Sequence, residues 1–224
     1  MNEIQMLDGT AMGVANIFCI GRNYAAHVRE LGNREELEPV VFLKPRSALS
    51  PEGRPIQLPE WTDDVHYEAE LLVLIGRGGK RIAKEKALDH VAGYGLGLDL
   101  TARDRQNEAK ARGLPWTLSK GFDQSACLSR FIAAAELPEP NRCRFSLSIN
   151  GQLRQSGRTE LMLFDLGELI AYLSEKFTLS PGDLIFTGTP EGVGRLHPGD
   201  RLSLRLEDKL QAEFVVAGGT GGDA

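Results

Sequence analysis

Cysteine is scarce in this 224-residue chain: Cys19, Cys127 and Cys143 are odd in number and show no Cys-x-x-Cys spacing. That argues against a disulfide framework or a zinc knuckle and for reduced thiols serving as small packing residues. No apolar run approaches the roughly 20 residues that a membrane helix needs. A basic surplus is also missing, with 26 Lys and Arg against 31 Asp and Glu and a formal net charge of −5. Nucleic acid and anionic membrane are therefore excluded as main partners, because nothing is left over to neutralise phosphates. The start, MNEIQMLDGTAMG, carries acids and no basic stretch ahead of an apolar one, which argues against a secretory signal. With the reduced thiols, this gives a cytoplasmic protein as the expectation. No internal repeat is found, and low complexity is confined to the terminal GGTGGDA, so residues 218–224 are expected to be disordered.

What is present suits an ordinary core: 42% hydrophobic and 25% charged residues. A single domain over 1–224 is expected, with 1–15 as an N-terminal segment. ANIFCIG reads as a strand, RNYAAHVRELGN as a short helix with Gly32 near its end, and VVFLK as a second strand. PRSALSPEGRPIQLPEW reads as a long irregular loop. HYEAELLVLIG is taken as one buried strand, and GRGGKRIAKEKALDH as a turn and a short polar helix. VAGYGLGLDL is apolar and glycine-rich, a strand that another backbone approaches closely. Thr101 to Arg112 looks helical, closing at Gly113. Asn150-Gly151 marks a hairpin in RFSLSINGQLRQSG, and FDLGELIAYLSEKF is an amphipathic helix that Asp165 and Glu168 can cap. ELPEPNR is read as a surface loop. GDLIFTGTP and the terminal DRLSLRLEDKLQAEFVVAG add strands, the latter a second hairpin. Strands outnumber helices and the βαβ alternation of a doubly wound sheet is missing, so the fold class is α+β, β-rich and mixed.

The chemistry concentrates on acids. Side chains of a strand alternate between faces, which puts Glu68 and Glu70 on one side with Leu72 and Leu74. Two carboxylates on a buried face need a proton, a basic partner or a metal ion. A third acid, Asp99, ends GYGLGLDL. Three carboxylates without a clustered His or Cys suit a hard ion, Mg²⁺ or Mn²⁺, better than zinc. Ion pairs to Arg or Lys explain Glu68 and Glu70 equally, and Asp99 alone would serve as a helix N-cap. Arg103, Gln106 and Lys110 share one helix face, where a solvated surface is the simpler explanation without Asp99 beside them. Lys120 in LSKGF has apolar flanks unusual for a surface lysine. His27 and Glu30 are neighbours on a helix, either an exposed pair or a carboxylate that raises the basicity of an imidazole. TGTPEGVG lacks the lysine and following helix of a P-loop, although its N–H groups could hold a carboxylate.

Taken together, GRNYAAHVRELG, FLKP, HYEAEL, GLDLTARDRQ, GLPWTLSKGFD, INGQLRQ and GDLIFTGTPEGVG resemble, in order, the fumarylacetoacetate hydrolase family. The likeness spans about residues 17–200 and is strongest to its small acylpyruvate hydrolase and oxaloacetate decarboxylase members. The resemblance implies a mixed β-sheet roll with a few short helices, usually a homodimer. It implies one Mg²⁺ or Mn²⁺ on Glu68, Glu70 and Asp99, with Lys120 catalytic and His27 and Glu30 a catalytic dyad on a lid. Arg103, Gln106, Thr189 and, less directly, Arg22 would contact a small-molecule 2-oxo acid substrate. The implied activity is hydrolysis of the C–C bond of acylpyruvates, such as acetylpyruvate or fumarylpyruvate, to pyruvate and a carboxylic acid. The alternatives on the same residues are oxaloacetate decarboxylation and the isomerisation or tautomerisation of 2-oxo acids in aromatic degradation. A metal-binding domain without catalysis is a more remote reading.

Overall fold

The structure is a computed structural model that describes residues 3–34 and 36–218. The tail expectation for 218–224 therefore lies, beyond Gly218, outside the described residues. Four α-helices are short: α1 (Ala25–Glu30), α2 (Arg103–Arg112), α3 (Thr117–Lys120) and α4 (Leu166–Lys176). Strands dominate, as the pattern predicts. The main sheet runs, neighbour by neighbour, through Val40–Lys44, Ile17–Gly21, Leu184–Phe186, Ala69–Ile75, Val91–Asp99, Ala126–Leu128 and Leu49–Pro51. Its pairings are mostly antiparallel, with two parallel ones, Leu184–Phe186 on Ile17–Gly21 and Ala126–Leu128 on Leu49–Pro51. A second sheet joins the two hairpins, Arg144–Ile149 with Gln152–Arg158 and Arg201–Leu206 with Leu210–Val215.

The main sheet is covered on both faces, which is why Ala69–Ile75 is buried at every position. Leu71, Val73, Leu96 and Leu98 pack with Phe145, Leu147, Leu202 and Leu204 of the second sheet and with Leu166, Leu169, Ile170 and Leu173 of α4. Leu72 and Leu74 face the other way, against Ile17, Cys19, Leu128, Phe131 and Phe186. Each such fully buried side chain contributes about 1.5–3 kcal/mol relative to solvent exposure. All three cysteines are free and buried.

Local signals hold where they are strong. Asp165 Oδ1 accepts from the Glu168 N–H at 2.8 Å and Glu168 Oε2 from the Asp165 N–H at 2.9 Å, completing the capping box. Asn150 and Gly151 both take positive φ, 52° and 78°, as a two-residue hairpin turn requires. α2 closes on Gly113 at φ 65°.

Several boundaries differ from expectation. The supposed strand His66–Gly76 is two strands: Val65–Tyr67 pairs with Gly194–Arg195 and Thr101–Ala102, while Ala69–Ile75 enters the main sheet. The break falls on Glu68. The first helix covers only Ala25–Glu30, because Arg22 adopts φ 60° ahead of it. The long loop contains an edge strand, Leu49–Pro51. The polar helix is a 3₁₀ segment, Lys84–His90. Asp99 is the last residue of a strand rather than a helix cap, and α2 starts at Arg103.

The glycines of Val91–Asp99 do admit close neighbours. A Cβ on Gly97 would stand 2.7 Å from the Cys127 carbonyl oxygen, 2.8 Å from Leu72 Cδ1 and 3.0 Å from Phe186 Cε1. These contacts hold the strand that carries Asp99 two residues further on. Gly97→Ala is expected to destabilise by about 1–3 kcal/mol through overpacking, lowering the calorimetric melting temperature by several degrees. Melting at the parent temperature would show that this approach constrains nothing.

Candidate functional site

Backbone pairing brings the acids together. In the ladder between the two central strands Ala69 lies opposite Leu98 and Glu70 opposite Gly97. The Asp99 N–H donates to the Glu68 carbonyl at 2.8 Å, fixing the break beside the end of the neighbouring strand. One carboxylate oxygen from each of Glu68, Glu70 and Asp99 lies within 4.8 Å of the others, and all three residues are buried.

The break itself has a cause. On the side of Ala69 that the short Leu184–Phe186 strand does not reach, side chains finish the ladder. Gln155 Oε1 accepts the Ala69 N–H at 2.9 Å, and Thr189 Oγ1 donates to the Ala69 carbonyl at 2.8 Å. Gln155 Nε2 in turn donates to Thr189 Oγ1 at 2.8 Å. Thr189 lines the cleft, with its hydroxyl proton engaged on Ala69.

Three buried cations surround two of the acids, Glu68 and Asp99. Lys120 Nζ, at the end of α3, stands 2.8 Å from Glu68 Oε2 and 2.7 Å from Asp99 Oδ2. Arg103 reaches Glu68 Oε1 at 2.5 Å and Gln106 Oε1 at 2.6 Å. Lys44 Nζ lies 2.8 Å from Asp99 Oδ1. Both resolutions weighed for paired acids are thus built into the same place, basic partners and a metal-type acid cluster. Burial favours the neutral form of Glu68, but Lys120 and Arg103 outweigh it and hold the carboxyl below its usual range. Glu70 goes the other way: burial first, then Asp99 and Glu68, push it well above that range. Lys120 opposes its own burial through Asp99 and Glu68 and stays charged.

These residues fit a divalent cation. Lys44 directs its hydrogen bonds to the Leu100 and Lys120 carbonyls and Ser125 Oγ. Asp99 Oδ1 is left buried without a hydrogen bond despite that nearby charge. Three buried carboxylates converging within 4.8 Å, one of them with an oxygen left without a hydrogen bond, make a hard donor set suited to Mg²⁺ or Mn²⁺.

The walls come from four segments. His27, Arg22, Arg103, Gln106, Lys120 and Thr189 share the lining of one cleft with Glu68 and Glu70. His27 Nδ1 is 3.1 Å from Glu30 Oε2; a carboxylate there fixes the Nδ1–H tautomer and leaves Nε2 as the basic nitrogen. Arg22 pairs with Glu36 at the rim. The glycine-rich turn does hold carboxylates, but they are the chain's own. Gly188 N–H donates to Glu70 Oε2 at 2.7 Å and Gly192 N–H to Glu30 Oε1 at 2.9 Å.

Sequence reasoning missed three supports. Lys44 lay in the quoted FLKP, and its signal was an inverted alternation: Leu43 is 46% exposed while Lys44 is 3% exposed. Gln155 carried no signal beyond its place in INGQLRQ. Asn23, fully buried, receives Phe164 N–H at 2.8 Å and donates to the Thr187 carbonyl at 2.8 Å, tying the start of α1 to the turn.

Comparison with known proteins agrees with this architecture. Residues 16–217 match the fumarylacetoacetate (FAA) hydrolase C-terminal family. A mitochondrial oxaloacetate tautomerase of Rattus norvegicus is 46% identical over 201 residues, covering 90% of this chain and 91% of that protein. A mitochondrial oxaloacetate decarboxylase of Dictyostelium discoideum is 47% identical over 204 residues, covering 89% and 94%. The crystal structure of fumarylpyruvate hydrolase from Pseudomonas aeruginosa in complex with Mn²⁺ and pyruvate superposes with a TM-score of 0.92 at 37% identity, covering 96% of this chain and 95% of that one. With a match over nearly the whole chain and relatives at this identity, the chain belongs to the fumarylacetoacetate hydrolase family.

Proposed function

We propose that this protein is a Mg²⁺- or Mn²⁺-dependent hydrolase that cleaves the C–C bond of acylpyruvates. The observation that carries the hydrolytic reading is His27, backed by Glu30, on the wall of a cleft lined by Glu68 and Glu70, with an Asp99 oxygen within 4.8 Å of theirs. The ion, held by Glu68, Glu70 and Asp99, would polarise a chelated 2-oxo acid and accept negative charge.

The remaining steps fall to side chains. Glu30 accepts the Nδ1–H of His27, so Nε2 takes a proton from water. The hydroxide attacks the carbonyl distal to the 2-oxo group. Lys120 donates to the oxyanion, and Gln106, whose Oε1 is fixed by Arg103, offers its amide N–H groups. The C–C bond breaks, its electron pair forms pyruvate enolate, and the distal half leaves as a carboxylic acid. Protonated His27 is positioned to return its proton to the enolate carbon.

A second reading, oxaloacetate tautomerase or decarboxylase, is favoured by the relatives of those names, which at 46% and 47% are more similar than the fumarylpyruvate hydrolase at 37%. Both need the enolate and neither needs activated water. A homodimer belongs to the proposal; Trp61, Leu114 and Leu118 border one surface cavity, with Leu118 80% exposed, an apolar patch a second copy would cover. So does a reducing compartment, the cytoplasm, which the three free cysteines suit.

Loss of one acid should remove activity and ion together. Glu68→Ala or Asp99→Ala is expected to abolish turnover and weaken Mn²⁺ binding in calorimetry; full turnover in chelator would refute the metal assignment.

The raised Glu70 gives a pH signature. Its folded value lies above the unfolded one, so its contribution to stability is complete at low pH and lost as pH rises through the folded value. A cation displaces that proton, so the increase in melting temperature on adding Mn²⁺ should grow from pH 5.5 to pH 8. A metal-induced increase that shrinks over that interval would contradict it.

The dyad separates the two readings. His27→Ala is expected to slow acetylpyruvate hydrolysis about 10²- to 10⁴-fold and to affect oxaloacetate turnover far less. Equal losses on both substrates would count against water activation.

A further inference from the structure

Among the described residues, one cationic side chain in the cleft has no acidic partner. On α2, Arg103 and Gln106 bond each other and Arg103 also bonds Glu68. Lys110 lies on the same face, four residues beyond Gln106, or about 6 Å further along the helix axis from the acids. It lines the same cleft. Its Nζ sits 5.6 Å from the Trp116 ring centroid, a cation–π contact that holds the ammonium against the wall. Among the described residues no carboxylate is within ion-pair reach of Lys110. By contrast Arg112 pairs with Glu108, Arg105 with Asp104 and Glu108, and Arg22 with Glu36.

A lysine in a last helical turn also suits the helix dipole, but Arg112 fills that place in solvent. Lys110 is turned inward and half-buried, and burial together with Arg103 and Arg22 pulls its ammonium down to about 8. Such a group gains from an anion that the protein itself does not supply. The floor has none to spare, because Glu68 and Asp99 are already paired with Lys120, Arg103 and Lys44, and Glu70 accepts the Gly188 N–H. A bound divalent ion would make the cleft more positive still.

We propose that Lys110 determines substrate specificity, receiving a second carboxylate, so that the preferred substrates are 2-oxo acids bearing a carboxylate at both ends. The assignment rests on the 2-oxo acid reading above. Trp116 walls the site beside Lys110, and Arg22, with its charge engaged by Glu36, adds a general positive field.

The test compares two unreactive probes on the Mn²⁺-loaded protein by calorimetry: 2-oxoglutarate and 2-oxopentanoate, which has a methyl group in place of the distal carboxylate. The parent protein is expected to bind 2-oxoglutarate about 10- to 100-fold more tightly, the worth of one charge-assisted contact. Lys110→Met should bring that ratio close to one, and Lys110→Arg should keep most of it. A parent ratio near one, or an unchanged ratio in Lys110→Met, would overturn the assignment. So would an equal weakening of both probes in Lys110→Met, which would mark the lysine as structural. Binding of neither probe to a parent protein that still binds Mn²⁺ would overturn the 2-oxo acid reading, and the role of Lys110 with it.

Discussion

Three buried acids and three buried basic side chains, gathered in one place, set the terms for the rest of this molecule. Burying a carboxylate or an ammonium alone costs several kcal/mol, and mutual attraction offsets that only where geometry and further hydrogen bonds are good. Here Lys120 bridges Glu68 and Asp99, Arg103 holds Glu68, and Lys44 lies against Asp99. Glu70 has a backbone N–H as its partner instead of a cation, and burial, with Asp99 and Glu68 beside it, pushes its carboxyl well above the usual range. The arrangement pairs Glu68 and Asp99 with cations without a metal yet leaves Asp99 Oδ1 without a hydrogen bond. A fold that only needed stability would do better with apolar residues at these positions; retaining the acids points to work done by an ion.

Holding the cluster falls to elements that contribute little chemistry themselves. The central strand must end its regular pairing at Glu68 so that this side chain and Glu70 converge with Asp99. Gln155 and Thr189 make the interruption tolerable by satisfying both backbone groups of Ala69, which would otherwise be buried and unpaired. Gly97 lets the Cys127 carbonyl approach the adjacent strand, keeping Asp99 at the level of the break. Lys44 donates to the Lys120 carbonyl, and Ser125 Oγ donates there too at 2.8 Å, so α3 delivers its lysine from a pinned backbone. The most mobile type of side chain is thereby held at both ends.

The acids were legible because they violate a pattern. Carboxylates in an apolar strand and an acid at the end of a glycine-rich one are visible without a structure, as are the capping box of α4 and the Asn150-Gly151 turn. Strand boundaries were less so: alternation in HYEAELLVLIG runs straight through Glu68, since the break is imposed by Gln155, 86 residues later in the chain. Lys44 and Asn23 escaped for the same reason. A lysine ending a strand and an asparagine before a helix are common on surfaces, and only long-range packing turns them inward. The glycine-rich turn was read as a possible anion holder; its N–H groups indeed hold anions, but ones supplied by Glu70 and Glu30.

That turn bears on how one fold can host several reactions. Gly188 secures Glu70 on the floor, while Gly192 secures Glu30, the partner of His27, on the wall. The two bonds are separate, although Asn23 at the start of α1 also donates to the Thr187 carbonyl beside Gly188. Glu70 sits in a sheet buried on both faces, whereas Glu30 ends a six-residue helix whose hold on the body includes the single bond from Gly192 and the anchoring of Asn23. Stabilising an enolate depends only on the floor; splitting a C–C bond with water needs the wall as well. On the proposed mechanism, hydrolysis would need α1 held over the floor, by contacts that include the Gly192 bond to Glu30, whereas enolate chemistry alone would not.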